Sequence, residues 1–132
     1  MKRRIEVCLQ WPDSRLSPNG RAFRLEKNDI AQDHKLHAIT KTVAAMKEAG
    51  IKRNDVHPKG MLLVQLVVLP PSKRRRDEDN LLATCKAYLD GIAFGLKVND
   101  CNFHFLEQAW LQPDPEKKGR IRFCVEWEES DA

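Results

Sequence analysis

The sequence predicts an α+β fold, a two-layer sandwich in which a mixed four-stranded sheet is backed by two helices in the order β-α-β-α-β-β. Three patterns support this prediction. Segments 5–9 and 121–127 alternate apolar and polar residues, segment 61–69 is almost continuously apolar, and two further segments repeat apolar residues at helical spacing. With 132 residues, the chain is long enough to form one domain, spanning 1–132, with a substantial core.

The first strand leads into a loop that we expect to be functional. The strand at 5–9 stops at the pair Trp11-Pro12. The following segment, 12–24, is rich in turn-forming residues and arginine, which predicts an exposed loop. A loop of this length in a small domain is more often functional than idle.

The first helix is predicted to begin at Asn28 or Asp29 and to run to about Gly50. Its expected buried face consists of Leu36, Ile39, Val43 and Met46. His34 and His37 lie one turn apart on this helix, but no third histidine or carboxylate-rich partner accompanies them. We therefore expect both imidazoles to be exposed to solvent rather than to bind a metal.

The second half of the chain centres on an apolar strand and the helix that follows it. Segment 61–69 has the pattern of a central strand buried on both faces, and Pro70-Pro71 ends it. A third strand is predicted within 101–110, followed by a hairpin-like connection at 112–119 to the last strand. The helix between these strands has one apolar stripe, formed by Leu81, Leu82, Cys85, Tyr88, Leu89, Ile92, Ala93 and Leu96.

Composition indicates the compartment and the class of partner. No signal-peptide pattern and no run of 18 apolar residues is present, so we expect a soluble intracellular protein that does not enter a membrane. The net charge is +4, with basic residues gathered at Lys2–Arg4, Arg15–Lys27 and Lys73–Arg76, which suits a polyanion such as nucleic acid. No CxxC pair occurs, and we expect buried, reduced thiols at Cys8, Cys85, Cys101 and Cys124.

The segment before the second helix carries the strongest functional signal. Asp77, Glu78 and Asp79 follow four consecutive cations, Lys73, Arg74, Arg75 and Arg76. In an extended chain, Asp77 and Asp79 point to the same side about 6.6 Å apart, and at an effective dielectric of ~20 they repel by about 3 kcal/mol. A Mg²⁺ ion would use this arrangement, because it binds one or two carboxylates together with water and phosphate oxygens. The alternative is that Asp79 or Asn80 caps the helix.

A second stripe on this helix is charged. Asp79, Lys86 and Asp90 fall on one face, with Ala83 and Ala87 between them. Lys86 lies about 10.5 Å along the helix axis from Asp79, so its long stem can reach back towards the carboxylates. The alternative for Lys86 is an ordinary surface pair with Asp90, worth ~0.2–0.5 kcal/mol.

Asp100 is expected to join the same site from a distant part of the chain. It ends the turn Val98–Asp100, directly before the predicted third strand. If that strand lies next to 61–69, Asp100 comes beside Asp77 and Asp79 at one edge of the sheet.

These residues resemble the signature of the RusA family of Holliday junction resolvases, small endonucleases common in prophages. The resemblance rests on RRRDEDNL at 74–81, Lys86, DGI at 90–92 and VND at 98–100, and it extends loosely along most of the chain. It implies a homodimer that acts in the cytoplasm of a bacterial cell, is encoded by a phage or prophage, binds four-way DNA junctions and cuts paired strands with Mg²⁺ or Mn²⁺.

The resemblance also implies residue roles. The essential aspartates of the family correspond to Asp77, Asp79 and Asp100, which would bind the metal, and its functionally important lysine corresponds to Lys86. In the best-known member this lysine comes one helical turn sooner, where the present chain has Ala83. Metal-assisted hydrolysis of a phosphodiester agrees with these residue types, with Lys86 stabilising charge on the phosphate.

The basic run complements this chemistry. Lys73, Arg74, Arg75 and Arg76 would hold backbone phosphates, which carry affinity but little sequence information. Any sequence preference would be read elsewhere, with the loop at 12–24 as a candidate. A two-fold dimer would place equivalent sites on two strands of a symmetric junction. The alternative function is a non-catalytic, basic nucleic-acid-binding α+β module, in which Asp77 and Asp79 only cap a helix and screen arginines.

Overall fold

The protein folds as an α+β structure with a mixed sheet, as predicted, and its computed structural model describes residues 1–20, 22–74 and 76–131. The elements are β1 (Lys2–Gln10), α1 (Arg24–Glu48), β2 (Leu62–Leu69), α2 (Glu78–Thr84), α3 (Lys86–Leu96), β3 (Phe103–Phe105), β4 (Ala109–Trp110) and β5 (Arg120–Glu128). Short 3₁₀ turns occur at Ser14–Leu16 and Asp100–Asn102. Among the described residues, no helix is long and apolar enough to span a membrane.

The sheet has five strands rather than the predicted four. Its order is β1-β5-β2-β3, with β4 also paired to β2. β5 is antiparallel to both β1 and β2, whereas β3 and β4 are parallel to β2. The predicted third strand is therefore two short strands along one side of β2. Since β5 lies on the other side of β2, the segment 112–119 crosses the end of the sheet and is not a hairpin.

One face of the sheet carries the core. The inward residues of β5 are buried as predicted, namely Ile121, Phe123, Val125 and Trp127. β2 buries alternate residues, but the intervening ones, such as Leu63 and Gln65, are partly or fully exposed. The prediction that β2 is buried on both faces was wrong, because the helices cover only one face of this two-layer structure.

α1 begins earlier and is rotated relative to the prediction. It starts at Arg24, and Phe23 at its N-terminus provides no side-chain cap. Of the expected buried face, Met46 is buried and Ile39 is half-buried, whereas Leu36 and Val43 are exposed. The buried positions are instead Ala38, Thr42 and Met46.

Close contact with α3 explains this rotation. A Cβ atom on Gly91 would lie 2.5 Å from the carbonyl oxygen of Lys35 and 2.7 Å from Cβ of Ala38. A Cβ on Gly95 would lie 2.9 Å from Cγ2 of Thr42. The two helices approach so closely that small residues occupy their interface, and the larger apolar residues of α1 point away from it.

The second predicted helix is interrupted once. Cys85, with φ −85° and ψ 4°, ends α2 and precedes α3. The predicted apolar stripe is confirmed, because all of its residues are buried except the half-buried Leu82. Burial raises the pKa of the Cys85 thiol to about 12, which keeps it protonated at neutral pH.

The cysteine prediction holds in part. All four cysteines are free thiols, and Cys85 and Cys124 are buried. Cys8 and Cys101 are exposed, against expectation. Cys8 lies on the sheet face that the helices leave open, and Cys101 lies in the 3₁₀ turn after α3.

We expect Gly91→Ala to destabilise the protein by about 1–3 kcal/mol, because the added methyl group meets the backbone of α1. Urea unfolding measures this loss. Gly60→Ala is the matched control, since its Cβ would meet nothing within 4 Å, and it should change stability by less than about 0.5 kcal/mol. Equal stability of the two variants would contradict the close helix contact.

Candidate functional site

The candidate site surrounds α2, between the end of β2 and the start of β3. β2 ends at Leu69, and the chain passes through 70–77 before α2 begins. After α3, the 3₁₀ turn Asp100–Asn102 leads into β3, which pairs with β2. The prediction that this strand lies next to β2 is therefore confirmed. This pairing places Asp100, in the turn before β3, close to α2.

A cavity of about 410 Å³ lies on one side of α2, and its charged lining residues are Asp79, Lys86, Asp90 and Asp100. We call it the acidic pocket. Its remaining lining is apolar and consists of Leu82, Ala83, Leu89, Phe103 and Phe105. The structure thus brings together three of the four predicted catalytic residues from separate parts of the chain.

The local structure explains how these side chains meet. Asp79 lies in the first turn of α2, Lys86 is the first residue of α3, and Asp90 lies one turn further along. This is the charged helical stripe that the sequence predicts. Lys86 is exposed, and among the described residues it forms no ion pair, so the alternative salt bridge to Asp90 is not present.

Asp90 is the acidic residue that the sequence analysis did not include among the candidate ligands. Partial burial raises the pKa of its carboxyl, and Asp100 raises it further, both as a nearby negative charge and as a hydrogen-bond partner. Lys86 acts in the opposite direction but more weakly. Asp90 and Asp100 are therefore a pair of carboxyl groups that interact within the pocket. The helical stripe was the sequence signal that could have identified Asp90.

Asp77 has a different role from the one predicted by the extended-chain argument. Its backbone is extended, with φ −82° and ψ 120°, and its Oδ1 accepts hydrogen bonds from the backbone N–H groups of Asp79 (2.9 Å) and Asn80 (3.2 Å). Asp77 is thus the N-cap of α2, whereas the capping alternative was assigned to Asp79 or Asn80. Because Asp79 is already helical, the two carboxylates do not share one side of a strand, and Asp77 does not line the acidic pocket.

A second cavity, of about 600 Å³, lies between the segment 12–20 and α2, and Asp77 lines it. We call it the loop cavity. Its other charged residues are Arg74 and Arg76. The N-terminal turn of α2 therefore separates two cavities, one that contains Asp79 and one that contains Asp77.

The predicted phosphate-binding cations differ in their surroundings. Lys73 and Arg74 are exposed, whereas Arg75 lies outside the described residues. Nη1 of Arg76 donates to the carbonyl oxygens of Ser72 (3.0 Å) and Arg74 (2.7 Å), and Nη2 donates to Oγ of Ser72 (2.9 Å). Three of the five N–H groups of Arg76 thus donate to residues of its own loop. Only the remaining two can donate to a phosphate.

The side chain of Arg76 packs over the ring of Trp11. The guanidinium lies 5.6 Å from the centre of the Trp11 ring. A Cβ on Gly119, the residue before β5, would lie 2.9 Å from the same ring, so only glycine allows the chain to pass this close to Trp11. Burial, and next the charge of Arg74, lower the pKa of Arg76.

An ion pair and a hydrogen bond hold the segment 12–20 against α1. Arg15 pairs with Asp13 and Glu26, and the ion pair with Arg15 lowers the pKa of Asp13 to about 2. The backbone N–H of Asp13 donates to Nε2 of His34 (3.1 Å), whose ring stacks on Tyr88 with 4.6 Å between centroids.

The prediction of exposed histidines was wrong, because both His34 and His37 are half-buried. Burial lowers the pKa of His34. Its neutral ring can therefore accept the hydrogen bond that positions the segment.

The acidic pocket meets the minimum requirement of a Mg²⁺ site. Mg²⁺ typically takes one or two carboxylates and completes its shell with water and phosphate oxygens. Asp90 and Asp100 supply such a pair, and Asp79 lines the same cavity. Within the described ranges, however, no three histidine, cysteine or acidic side chains converge tightly enough to enclose a metal ion by themselves.

We expect Asp90→Asn to raise the melting temperature at pH 7 in the absence of metal. Because the pKa of Asp90 is raised in the folded protein, ionising its carboxyl lowers the free energy of unfolding. This loss of stability is absent at a pH below the pKa of the unfolded state. It is complete once the pH has risen through the pKa of the folded state. Thermal unfolding at pH 7 and pH 3 measures it, and the gain should disappear at pH 3. A lower melting temperature than the native protein at pH 7 would contradict the carboxyl contact.

We expect Asp77→Ala to cost about 1 kcal/mol of stability through loss of the N-cap of α2. Asp77→Asn should cost much less, because asparagine caps helices about as well as aspartate. Urea unfolding of the two variants distinguishes the cases. Equal losses would show that the charge of Asp77, rather than its capping oxygen, stabilises the fold.

Comparison with known proteins adds little to this geometry. No family model matches the chain. An uncharacterized protein of Xylella fastidiosa (strain Temecula1) is 29% identical over 103 residues, which cover 78% of this chain and 65% of that protein. The chain therefore spans slightly less than two thirds of this relative's length. A cyanuric acid hydrolase from A. caulinodans superposes with a TM-score of 0.38 at 16% identity, over 96% of this chain and 40% of that one.

Proposed function

We propose that this protein is a metal-dependent, structure-selective DNA endonuclease that resolves four-way junctions by paired nicks. The observation that supports it best is the convergence of Asp79, Asp100 and Lys86 on one pocket, as the resemblance to the RusA family implies. Asp100 follows α3 in the chain, so a local run of surface charge before α2 does not account for its presence at the acidic pocket.

The chemistry follows from the residues of the acidic pocket. Asp90 and Asp100 would hold the metal together with water and phosphate oxygens, and Asp79 lines the same pocket. A metal bound there would supply an activated water and charge stabilisation on the phosphate oxygens. Lys86 carries no ion pair among the described residues, so its ammonium is available to a phosphate at the mouth of the pocket. Asp77 contributes indirectly in this proposal, because its cap fixes the turn from which Asp79 projects.

The described cations of the basic run would hold the DNA backbone, and two of them, Arg74 and Arg76, line the loop cavity on the other side of α2. Lys73 and Arg74 are exposed and have no carboxylate partner within the described residues. Each phosphate that such a cation neutralises releases counterions, so binding should weaken steeply with salt. A homodimer would present two such surfaces to the two-fold-symmetric junction.

Nicking of a synthetic four-way junction in Mg²⁺ tests the proposal. The native protein should cut two opposing strands symmetrically, and Asp79→Asn and Asp100→Asn should each slow nicking by at least about 100-fold. Asp55→Asn is the matched control, because Asp55 is exposed between α1 and β2 and lines neither cavity. Unchanged nicking by Asp79→Asn would reject the proposal.

A second candidate function is a nucleic-acid-binding module without catalysis. The capping role of Asp77 favours it, because one of the three expected metal ligands is explained by local structure alone. This function predicts salt-sensitive DNA binding that Mg²⁺ changes only through ionic strength. Tight junction binding with no nicking in either Mg²⁺ or Mn²⁺ would support the module over the nuclease.

A further inference from the structure

We propose that the loop cavity binds one nucleotide of the DNA strand beside the bond that is cut, and that Asn19 and Asn80 read its base. This inference rests on the proposed function, since it concerns the substrate of the same site. It assigns the sequence preference of the protein to a preformed cavity on the opposite side of α2 from the acidic pocket.

The position of the cavity supports this assignment. Asp77 and Asn80 face the loop cavity, whereas Asp79 and Ala83 face the acidic pocket. The wall between the two is the first turns of α2, and a helix with its side chains is only about 10–12 Å wide. A strand that lies across α2 with a phosphate at the acidic pocket therefore places a neighbouring nucleotide at the loop cavity.

The lining of the cavity offers charge and apolar surface to a nucleotide. Arg74 and Arg76 would meet a backbone phosphate, and they outnumber the one carboxylate of the lining, Asp77, which accepts the capping hydrogen bonds of α2. Pro12 and Leu81 provide apolar surface for the flat face of a base. The volume of about 600 Å³ is within the usual range for small-molecule sites.

Two amide side chains provide the means to distinguish bases. Oγ of Ser17 donates to Oδ1 of Asn80 (3.2 Å), which leaves the amide N–H groups of Asn80 without a protein partner in the described part of the chain. The side chain of Asn19 likewise has no hydrogen bond to any described residue. An amide presents both donors and an acceptor, and it can therefore discriminate between the hydrogen-bonding edges of bases.

The cavity is built before any ligand arrives. The bond from Ser17 to Asn80 ties the loop to α2, and Nζ of Lys27 donates to the carbonyl oxygen of Gly20 (2.9 Å), which ties it to α1. Gly20 closes a tight turn, because a Cβ there would lie 2.7 Å from the carbonyl oxygen of Arg15. A preformed cavity loses less entropy on binding than one that must first be ordered.

Nicking of a junction series tests the assignment. The series places each of the four nucleotides in turn at every position around the crossover, and the native protein should prefer one nucleotide at one position by at least about fivefold. In Asn19→Ala this ratio should fall below about twofold. Asn28→Ala is the matched control, because Asn28 is an exposed asparagine of α1 outside the cavity, and it should keep the native ratio. A native ratio in Asn19→Ala would overturn the inference.

A metal-free measurement separates this inference from the nuclease proposal. The side-chain amide signals of Asn19 and Asn28, assigned by their loss in the alanine variants, are followed by NMR while dAMP, dCMP, dGMP or dTMP is added without metal. The Asn19 signal should shift, by different amounts for different nucleotides, and the Asn28 signal should not. Shifts in a protein that never nicks would retain the cavity and reject the nuclease, whereas nicking without any shift of Asn19 would reject the cavity alone.

Discussion

The hydrogen bonds that Asp77 accepts from the first turn of α2 organise both cavities. By accepting from the backbone N–H groups of Asp79 and Asn80, Asp77 fixes where the helix begins. Successive side chains on a helix point about 100° apart, so this starting point sends Asp79 to the acidic pocket and Asn80 to the loop cavity. A helix that began one residue later would rotate both side chains away from these positions.

Sequence patterns predicted the fold and most of the acidic pocket, because both depend on periodicity. The apolar stripe of α2 and α3 and the inward face of β5 are buried as expected. The charged stripe of Asp79, Lys86 and Asp90 also follows from helical spacing. The convergence of Asp100 required only that the strand after α3 lie beside β2, which it does.

The errors arose where contacts between elements decide the outcome. The burial of α1 is set by Gly91 and Gly95 on α3, and the sequence of α1 alone does not contain this information. The capping residue of α2 depends on where an extended chain becomes helical, which a run of acidic residues leaves open. The loop cavity is formed by segments distant in the chain, and its link from Ser17 to Asn80 has no local signal.

Lys86 lines the acidic pocket despite the interruption of the helix at Cys85. Ala83 lines the acidic pocket where the family resemblance would place a lysine, and its small side chain leaves space beside Asp79. Lys86 begins α3 one turn later, and it lines the same pocket because the break at Cys85 changes the course of the helix only locally. A long, flexible stem allows its ammonium to cover the distance that one helical turn adds. The first residue of α3 thus supplies the ammonium group that the proposed chemistry requires at this pocket.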